Sequence, residues 1–238
     1  DGTPIVLSNI LLGEVWICAG QSNMEMPVQG FFGQPCIESV ETMRDAKKYP
    51  DVRMFTVARS SQKVPQSNCS GEWLCPDPES VGLFSAVGYF FGRSLNQYLD
   101  IPIGLICTSW GGTNIEAWMA EESLERINVD RNFIRKNWVE EHSTPSLLYN
   151  GMVHPLLKYV AKGFIWYQGE ANHRNYYDYK TMMVEMVRQW REAWGNVKMP
   201  FYYVQIAPYC YDGADYRAMA LLRENQYKAL AEISYSGI

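Results

Sequence analysis

The sequence predicts an α/β protein: a three-layer α/β/α sandwich around a central parallel sheet of about five strands. Three observations lead there. Apolar runs of strand length recur along the chain, they alternate with segments of helical period, and turns rich in Gly, Ser and Asn follow the strands. Such alternation sets parallel strands side by side with helices on both faces.

The elements follow in order. Glu14 to Ala19 is a mostly apolar run that reads as a buried strand, ended by Gly20. Val52 to Val57 is a second strand. Ser85 to Leu99 repeats apolar residues at Val87, Phe90, Phe91, Leu95, Tyr98 and Leu99, a helical period. Ile103 to Thr108 is a third strand, and Asn114 to Ile127 reads as a helix with a thin apolar face. Gly163 to Tyr167 is a fourth strand. Tyr177 to Trp194 is a helix with Met183, Met186, Val187, Trp190 and Trp194 on one face, and Gly195 ends it. Phe201 to Ile206 is a fifth strand, stopped by Pro208. Arg217 to Ala231 reads as a helix and Ile233 to Ile238 as a sixth strand-like run. Gln29 to Tyr49 and Ser60 to Val81 are the least regular segments.

Composition fits a globular chain with one sizeable core. It has 238 residues, 47% hydrophobic and 20% charged, with a net charge of -5. No basic run appears, which argues against nucleic acid as a partner. No apolar stretch approaches the ~20 residues of a membrane span. The chain starts at Asp1 with no signal peptide of its own, which is compatible with a leader already removed. Six cysteines form an even set, compatible with an oxidising compartment. Cys18 and Cys107 fall in apolar strands as buried thiols, and the spacing of Cys69 and Cys75 suits a small disulfide ring. No Cys or His spacing suggests a metal. Asn68-Cys69-Ser70 matches a glycosylation sequon, though an ordinary loop is the preferred reading there.

Gly20-Gln21-Ser22-Asn23-Met24 is the most informative stretch. A glycine after a buried strand permits a sharp turn, which lifts the Ser22 hydroxyl to the carboxyl end of the strand. There it is a candidate nucleophile, or simply the cap of a following helix. Two further polar segments also follow strands: Ser109-Trp110-Gly111-Gly112-Thr113-Asn114, and Trp166-Tyr167-Gln168-Gly169-Glu170-Ala171-Asn172. In a parallel sheet these three meet at one end, where the crevice forms.

These segments and Asn150-Gly151-Met152-Val153-His154-Pro155, in this order, resemble the sialate O-acetylesterase family within the wider SGNH (GDSL-like) carbohydrate esterases. The resemblance runs from about Leu12 to about Pro208. It implies an SGNH-hydrolase, flavodoxin-like sandwich over residues 12–238, with residues 1–11 as the tail of a preceding β-domain or a linker. It implies a serine carbohydrate O-acetylesterase that needs no metal or organic cofactor, with an acetylated carbohydrate as its partner. Ester cleavage requires a nucleophile, a base and oxyanion donors. The resemblance gives Ser22 the first role. The N–H groups of Ser22 and Gly112 are expected donors, with Gln168 preferred over Asn172 as a third. Glu170 is expected to hold the neighbouring loops, because a single carboxylate makes no glycosidase pair. Trp110 and Tyr176 are the expected pocket walls.

The base is where the chain departs from the family. Members take the triad His from an Asp-x-x-His-type motif near the C-terminal end, and none stands before Ile238. The expectation is therefore a domain incomplete at its C-terminus, with the base beyond Ile238 and His173 as the rival within the chain. His154, beside Pro155 and Leu156, reads as packed, and His142, among Glu140, Glu141 and Ser143, as solvated. Two alternatives remain: an esterase on plant polysaccharide such as acetylated xylan, or a non-catalytic carbohydrate-binding module. The expected location is secreted or periplasmic, or lysosomal in a eukaryote.

Overall fold

A computed structural model describes Gly2, Pro4 and residues 6–209 and 217–238. The strands are β1 (Glu14–Gly20), β2 (Val52–Thr56), β3 (Trp73–Leu74), β4 (Ile103–Ser109), β5 (Gly163–Tyr167), β6 (Phe201–Tyr203) and β7 (Ser236–Gly237). The α-helices are α1 (Ser22–Glu25), α2 (Ser39–Arg44), α3 (Pro78–Leu83), α4 (Ala86–Leu99), α5 (Glu121–Arg126), α6 (Arg131–Asn137), α7 (Tyr176–Ala193) and α8 (Ala218–Ala229).

The strands form one sheet in the order β3-β2-β4-β1-β5-β6-β7. Every pairing is parallel except that of β3 with β2. The parallel centre matches the sequence reading. The antiparallel edge strand β3, inside the irregular 60–81 segment, was not foreseen: two exposed residues carry too short a pattern to read. β1 is central. The chain first builds β2 and β4 on one side of it, then β5, β6 and β7 on the other. The strand order thus reverses at β1, and such reversals open the crevice in which α/β sheets bind ligands.

The pleat of β1 divides the core. Ile17 and Ala19 face one cluster, which includes Trp118, Trp166, Trp190 and Met186; Trp16 and Cys18 face the other, with Met24, Tyr89 and Leu105. α7 covers the first face through Met182, Met183, Met186, Val187 and Trp190, and Gly195 stops it at φ +67°. α4 covers the second face. It is capped by the Ser85 hydroxyl, which accepts from the Gly88 N–H.

Several expected elements differ. The helix expected over Asn114 to Ile127 is a 3-10 turn, Ile115–Trp118, followed by the short α5. The four residues of the turn are buried, so local helical period gave way to core packing. The strand-like run from Ile233 shrinks to β7, and Gln29 to Tyr49 contains α2. Cys69 and Cys75, whose spacing would suit a small disulfide ring, are free thiols, as are Cys18, Cys36 and Cys107. Cys69 packs against the core while Cys75 is exposed beyond β3, so the strand holds the two apart in environment. Cys210 lies outside the described residues. Burial pushes the Cys107 thiol up to about 11 and the Cys18 thiol well above its usual value, which leaves both unreactive at neutral pH.

Among the glycines of the strands, Gly20 leaves the least room for a side chain. A Cβ there would lie 2.1 Å from the Tyr167 carbonyl oxygen. Gly20→Ala should therefore destabilise the fold by at least ~1–3 kcal/mol through overpacking. Denaturant unfolding measures this, and an unchanged midpoint would show that β1 and β5 can part at no cost.

Candidate active site

Three strand ends lie level. Gly20 pairs with Ser109 of β4 on one side and Tyr167 of β5 on the other. The Gln21 N–H donates to the Tyr167 carbonyl at 3.0 Å, and the Trp110 N–H donates to the Gly20 carbonyl at 3.1 Å. The loops after β1, β4 and β5 therefore leave the sheet at the same height.

Ser22 opens α1 directly after this row and is half-buried. Gly111 lies against it: a Cβ on Gly111 would be 3.4 Å from the Ser22 Cβ and 3.0 Å from Glu25 Oε2. Gly112 holds φ +78°, the left-handed conformation that glycine adopts without strain. The Gly111 N–H donates to Glu25 Oε2 at 2.9 Å, which pins the turn to α1. Among the described residues the N–H groups of Ser22 and Gly112 have no hydrogen-bond partner.

On the β5 side, Gln21 acts as a strap. Its Oε1 accepts from the Gly169 N–H at 3.1 Å and the Ala171 N–H at 3.4 Å. Asn23 Nδ2 donates to Glu170 Oε1 at 2.6 Å. Glu170 thus ties its own loop to the residue after Ser22. Its other oxygen, Oε2, is buried without a partner among the described residues. Burial raises the Glu170 pKa, against the lowering effect of its hydrogen bonds.

Gln168 and Asn172 are both fully buried and face inward. Gln168 Nε2 donates to the Thr113 carbonyl at 3.0 Å and to Asn172 Oδ1 at 2.8 Å, which uses both amide hydrogens. Its Oε1 lies 2.9 Å from the Tyr179 hydroxyl. Asn172 Nδ2 donates to Glu116 Oε2 at 2.7 Å and to Asn175 Oδ1 at 3.2 Å. The structure therefore binds these amides into a frame below the crevice and does not present them to Ser22. Glu116 is the hub of that frame. Fully buried, it also accepts from Asn114 Nδ2, Asn175 Nδ2 and Trp138 Nε1. A carboxylate shielded by this many N–H donors needs no cation beside it.

The histidines separate. His154 Nδ1 lies 2.7 Å from the Gln66 carbonyl and its ring packs edge-on to Tyr149, a packed role as expected. His173 Nδ1 lies 2.9 Å from the Glu170 carbonyl. His142 was expected to be solvated, yet its side chain is only 28% exposed. It stacks on Trp110 at 5.9 Å, and its Nε2 would lie 3.6 Å from a Cβ on Gly112. The aromatic face of Trp110, distant in sequence, overrides the polar neighbours Glu140 and Glu141. Trp110 thus stands at the crevice with His142 stacked on it and the Arg59 guanidinium 5.4 Å from its ring centre. Tyr176 begins α7, edge-on to Tyr177 and packed at the border of the core.

Sequence reasoning missed Gln21, Asn23, Glu25, Arg59 and Glu116 as site-building residues. Gln21, Asn23 and Glu25 sit inside the informative motif, so their spacing around Ser22 was a usable signal. Nothing local marks Arg59 or Glu116. A cavity of about 700 Å³, lined by Leu12, Trp73, Pro102 and Tyr159, lies at the opposite end of the sheet, where β1 and β4 begin. Size alone therefore does not locate the chemistry. Among the described residues no helix is long and apolar enough to cross a membrane.

A reversing parallel sheet with a serine turn at its centre places the molecule among the open-sheet α/β proteins with a crevice at the strand carboxyl ends. Comparison with known proteins narrows the class. The chain belongs to the carbohydrate esterase family of sialic acid-specific acetylesterases, which it matches over residues 12–235. Human sialate O-acetylesterase is 36% identical over 195 residues, covering 78% of this chain and 36% of the human protein. The rat protein is 31% identical over 245 residues, covering 84% and 44%. The chain thus spans less than half the length of these curated relatives. A carbohydrate acetylesterase from Xanthomonas citri superposes with TM-score 0.83 at 36% identity, covering 94% of this chain and 49% of that one. An Arabidopsis thaliana protein, 16% identical with TM-score 0.56, shares the fold over 95% of this chain and 84% of its own.

Two predictions follow from the frame and the strap. Gln168→Ala and Asn172→Ala should each lower stability by ~1–3 kcal/mol, because each strands buried partners. An unaltered thermal midpoint would mean that these amides are not structural. Folded Glu170 holds its proton more tightly than the unfolded chain does. Its contribution to stability is complete in acid and is lost as pH rises from the ordinary carboxylate range through the raised pKa. Glu170→Gln keeps the acceptor for Asn23 and cannot ionise, so it should flatten that loss. Melting curves of both proteins from acid to neutral pH check this, and parallel profiles would refute it.

Proposed function

We propose that this chain carries the reaction centre of a serine O-acetylesterase acting on acetylated sugars. The observation that carries the reading is the position of Ser22 beside Gly111, at the aligned ends of β1, β4 and β5. Family membership supplies the substrate class. The Ser22 hydroxyl attacks the acetyl carbonyl, and its proton passes to a base. The carbonyl oxygen becomes an oxyanion beside the Ser22 and Gly112 N–H groups, which stand at the N-terminus of α1 and on a left-handed turn. The C–O bond to the sugar then breaks and the sugar leaves as an alcohol, taking a proton. Water hydrolyses the acetyl-Ser22 ester and releases acetate.

Gln168, Asn172 and Glu116 hold the loops in this scheme, and Glu170 fixes Asn23 beside the nucleophile. The proton acceptor is a histidine. Within the described residues the candidates are His142, beside Gly112, and His173, in the turn after β5. In the full-length protein Ser22→Ala should lower acetate release by at least ~10³, the loss typical of a missing nucleophile. His142→Ala and His173→Ala should each cost less than ~10-fold if the base lies elsewhere. A loss as large as that of Ser22→Ala would assign the base to the histidine changed, while full activity in Ser22→Ala would end the serine mechanism.

A further inference from the structure

Arg59 and Glu25 form an ion pair beside the nucleophile, and the bond-making steps of ester cleavage use neither side chain. Glu25 is the last residue of α1, which Ser22 opens. Its Oε2 accepts from the Gly111 N–H at 2.9 Å, and its Oε1 pairs with Arg59 Nη2. A Cβ on Gly111 would stand 3.0 Å from that Oε2 and 3.4 Å from the Ser22 Cβ. The carboxylate therefore lies within two contact distances of the nucleophile, on the turn that presents the Gly112 N–H. It fixes this turn through a hydrogen bond. It also brings a negative charge close to the place where the ester carbonyl becomes an oxyanion. The first effect favours the transition state and the second opposes it.

Arg59 removes the conflict. Its guanidinium lies against Glu25 and 5.4 Å from the centre of the Trp110 ring, so the two neighbours hold it in place. The Arg59 side chain is 53% exposed, and a pair this open adds little to stability. Its effect falls on the field at the strand ends. The loop that carries Arg59 is firmly held. Residues 57–72 contain neither helix nor strand, and such long irregular loops in compact domains are usually functional. The Asn150-Gly151-Met152-Val153-His154 segment, a sequence motif to which ester cleavage gives no task, grips this loop. Asn150 Nδ2 donates to the Gln62 carbonyl at 3.1 Å, and the Gln66 N–H donates to the Asn150 carbonyl at 2.9 Å. His154 Nδ1 lies 2.7 Å from the Gln66 carbonyl. The Ser60 carbonyl packs so closely that a Cβ on Gly151 would lie 2.2 Å from its oxygen. Thr108 Oγ1 donates to the Met152 carbonyl at 3.1 Å, which ties the motif to the end of β4. The guanidinium is thus placed from the sheet through this motif.

We propose that Arg59 is a positioning residue of the esterase reaction: it neutralises Glu25, so that Glu25 pins the Gly111-Gly112 turn without opposing the oxyanion, and the motif around Asn150 serves to hold Arg59 there. The proposal rests on the reading of Ser22 as an esterase nucleophile.

The test is the pattern of turnover in the full-length protein on two substrates, an O-acetylated sialic acid and 4-nitrophenyl acetate, which carries no sugar. Arg59→Gln leaves the Glu25 charge uncompensated. It should lower kcat about tenfold or more on both substrates and change KM less than ~3-fold. Arg59→Lys keeps the charge and should retain most of the activity. Glu25→Gln keeps an acceptor for the Gly111 N–H and loses the charge, so alone it should cost less than Arg59→Gln. Combined with Arg59→Gln it should restore most of the lost kcat, which makes the double variant faster than the Arg59→Gln single. Melting curves of these variants should stay close to that of the wild type. A double variant no faster than Arg59→Gln would overturn the proposal, as would unchanged turnover in Arg59→Gln. A loss confined to KM or to the sugar substrate would make Arg59 a substrate-binding residue instead, and an Arg59→Gln protein melting far below the wild type would make it a structural one; either result also overturns the proposal. Wild-type protein without turnover, or with turnover that survives Ser22→Ala, would defeat the esterase reading and this proposal with it, whereas the other outcomes strike the proposal alone.

Discussion

The structure depends on the level ends of three parallel strands. Gly20, Ser109 and Tyr167 stand in one row, and the backbone bonds from Gln21 and Trp110 continue the ladder one step past it. Each strand then turns away into a loop that carries polar residues. Ladder register is a rigid constraint, because slipping by one residue would send every side chain of β1 to the other face. Trp16 and Cys18 would then exchange cores with Ile17 and Ala19. The sheet therefore positions Ser22, Gly111 and Gly169 relative to one another before any side chain in the site makes a contact.

Side chains then lock what the ladder places. Gln21 holds the β5 loop, Glu25 the β4 loop, and Asn23 reaches Glu170. All three belong to the first turn after β1, so one short helix clamps both neighbours. Below it, Glu116 gathers donors from Asn114, Asn172, Asn175 and Trp138. Burying a carboxylate is costly unless it is hydrogen-bonded, and a partly satisfied network is worse than an apolar one. Glu116 is satisfied on both oxygens. Glu170 is satisfied on only one, and burial accordingly shifts it towards its neutral form. The two acids beside the crevice thus differ in environment: one is part of a closed frame, the other an open end beside the nucleophile.

Much of the fold was legible because it is written locally. The apolar runs of β1, β4 and β5 and the methionine and tryptophan stripe of α7 have periods that survive any tertiary context. β3 failed because two residues carry no period, and the helix over 114–127 failed because the core buried its first turn. Within the site, Ser22, Trp110, Gly111 and Gly112 were found as strand-end turn residues. Gln168 and Asn172 were found as polar residues of the right loop, but the direction of their amides was not readable. Tyr179, Thr113 and Glu116, which absorb those amides, come from three other elements.

The sequence by itself determined the α/β alternation, the family, and which turns meet at one end of the sheet. These follow from spacing along the chain, and spacing constrains neighbours within a few residues. Only the tertiary structure decided which polar groups face the crevice and which are consumed beneath it. It also decided that His142 leaves solvent to stack on Trp110, that Arg59 joins them, and that Cys69 and Cys75 stay apart as thiols. Such pairings are contacts between residues from separate elements. Their geometry is set by the packing of two cores against one sheet, a long-range result that no local pattern contains.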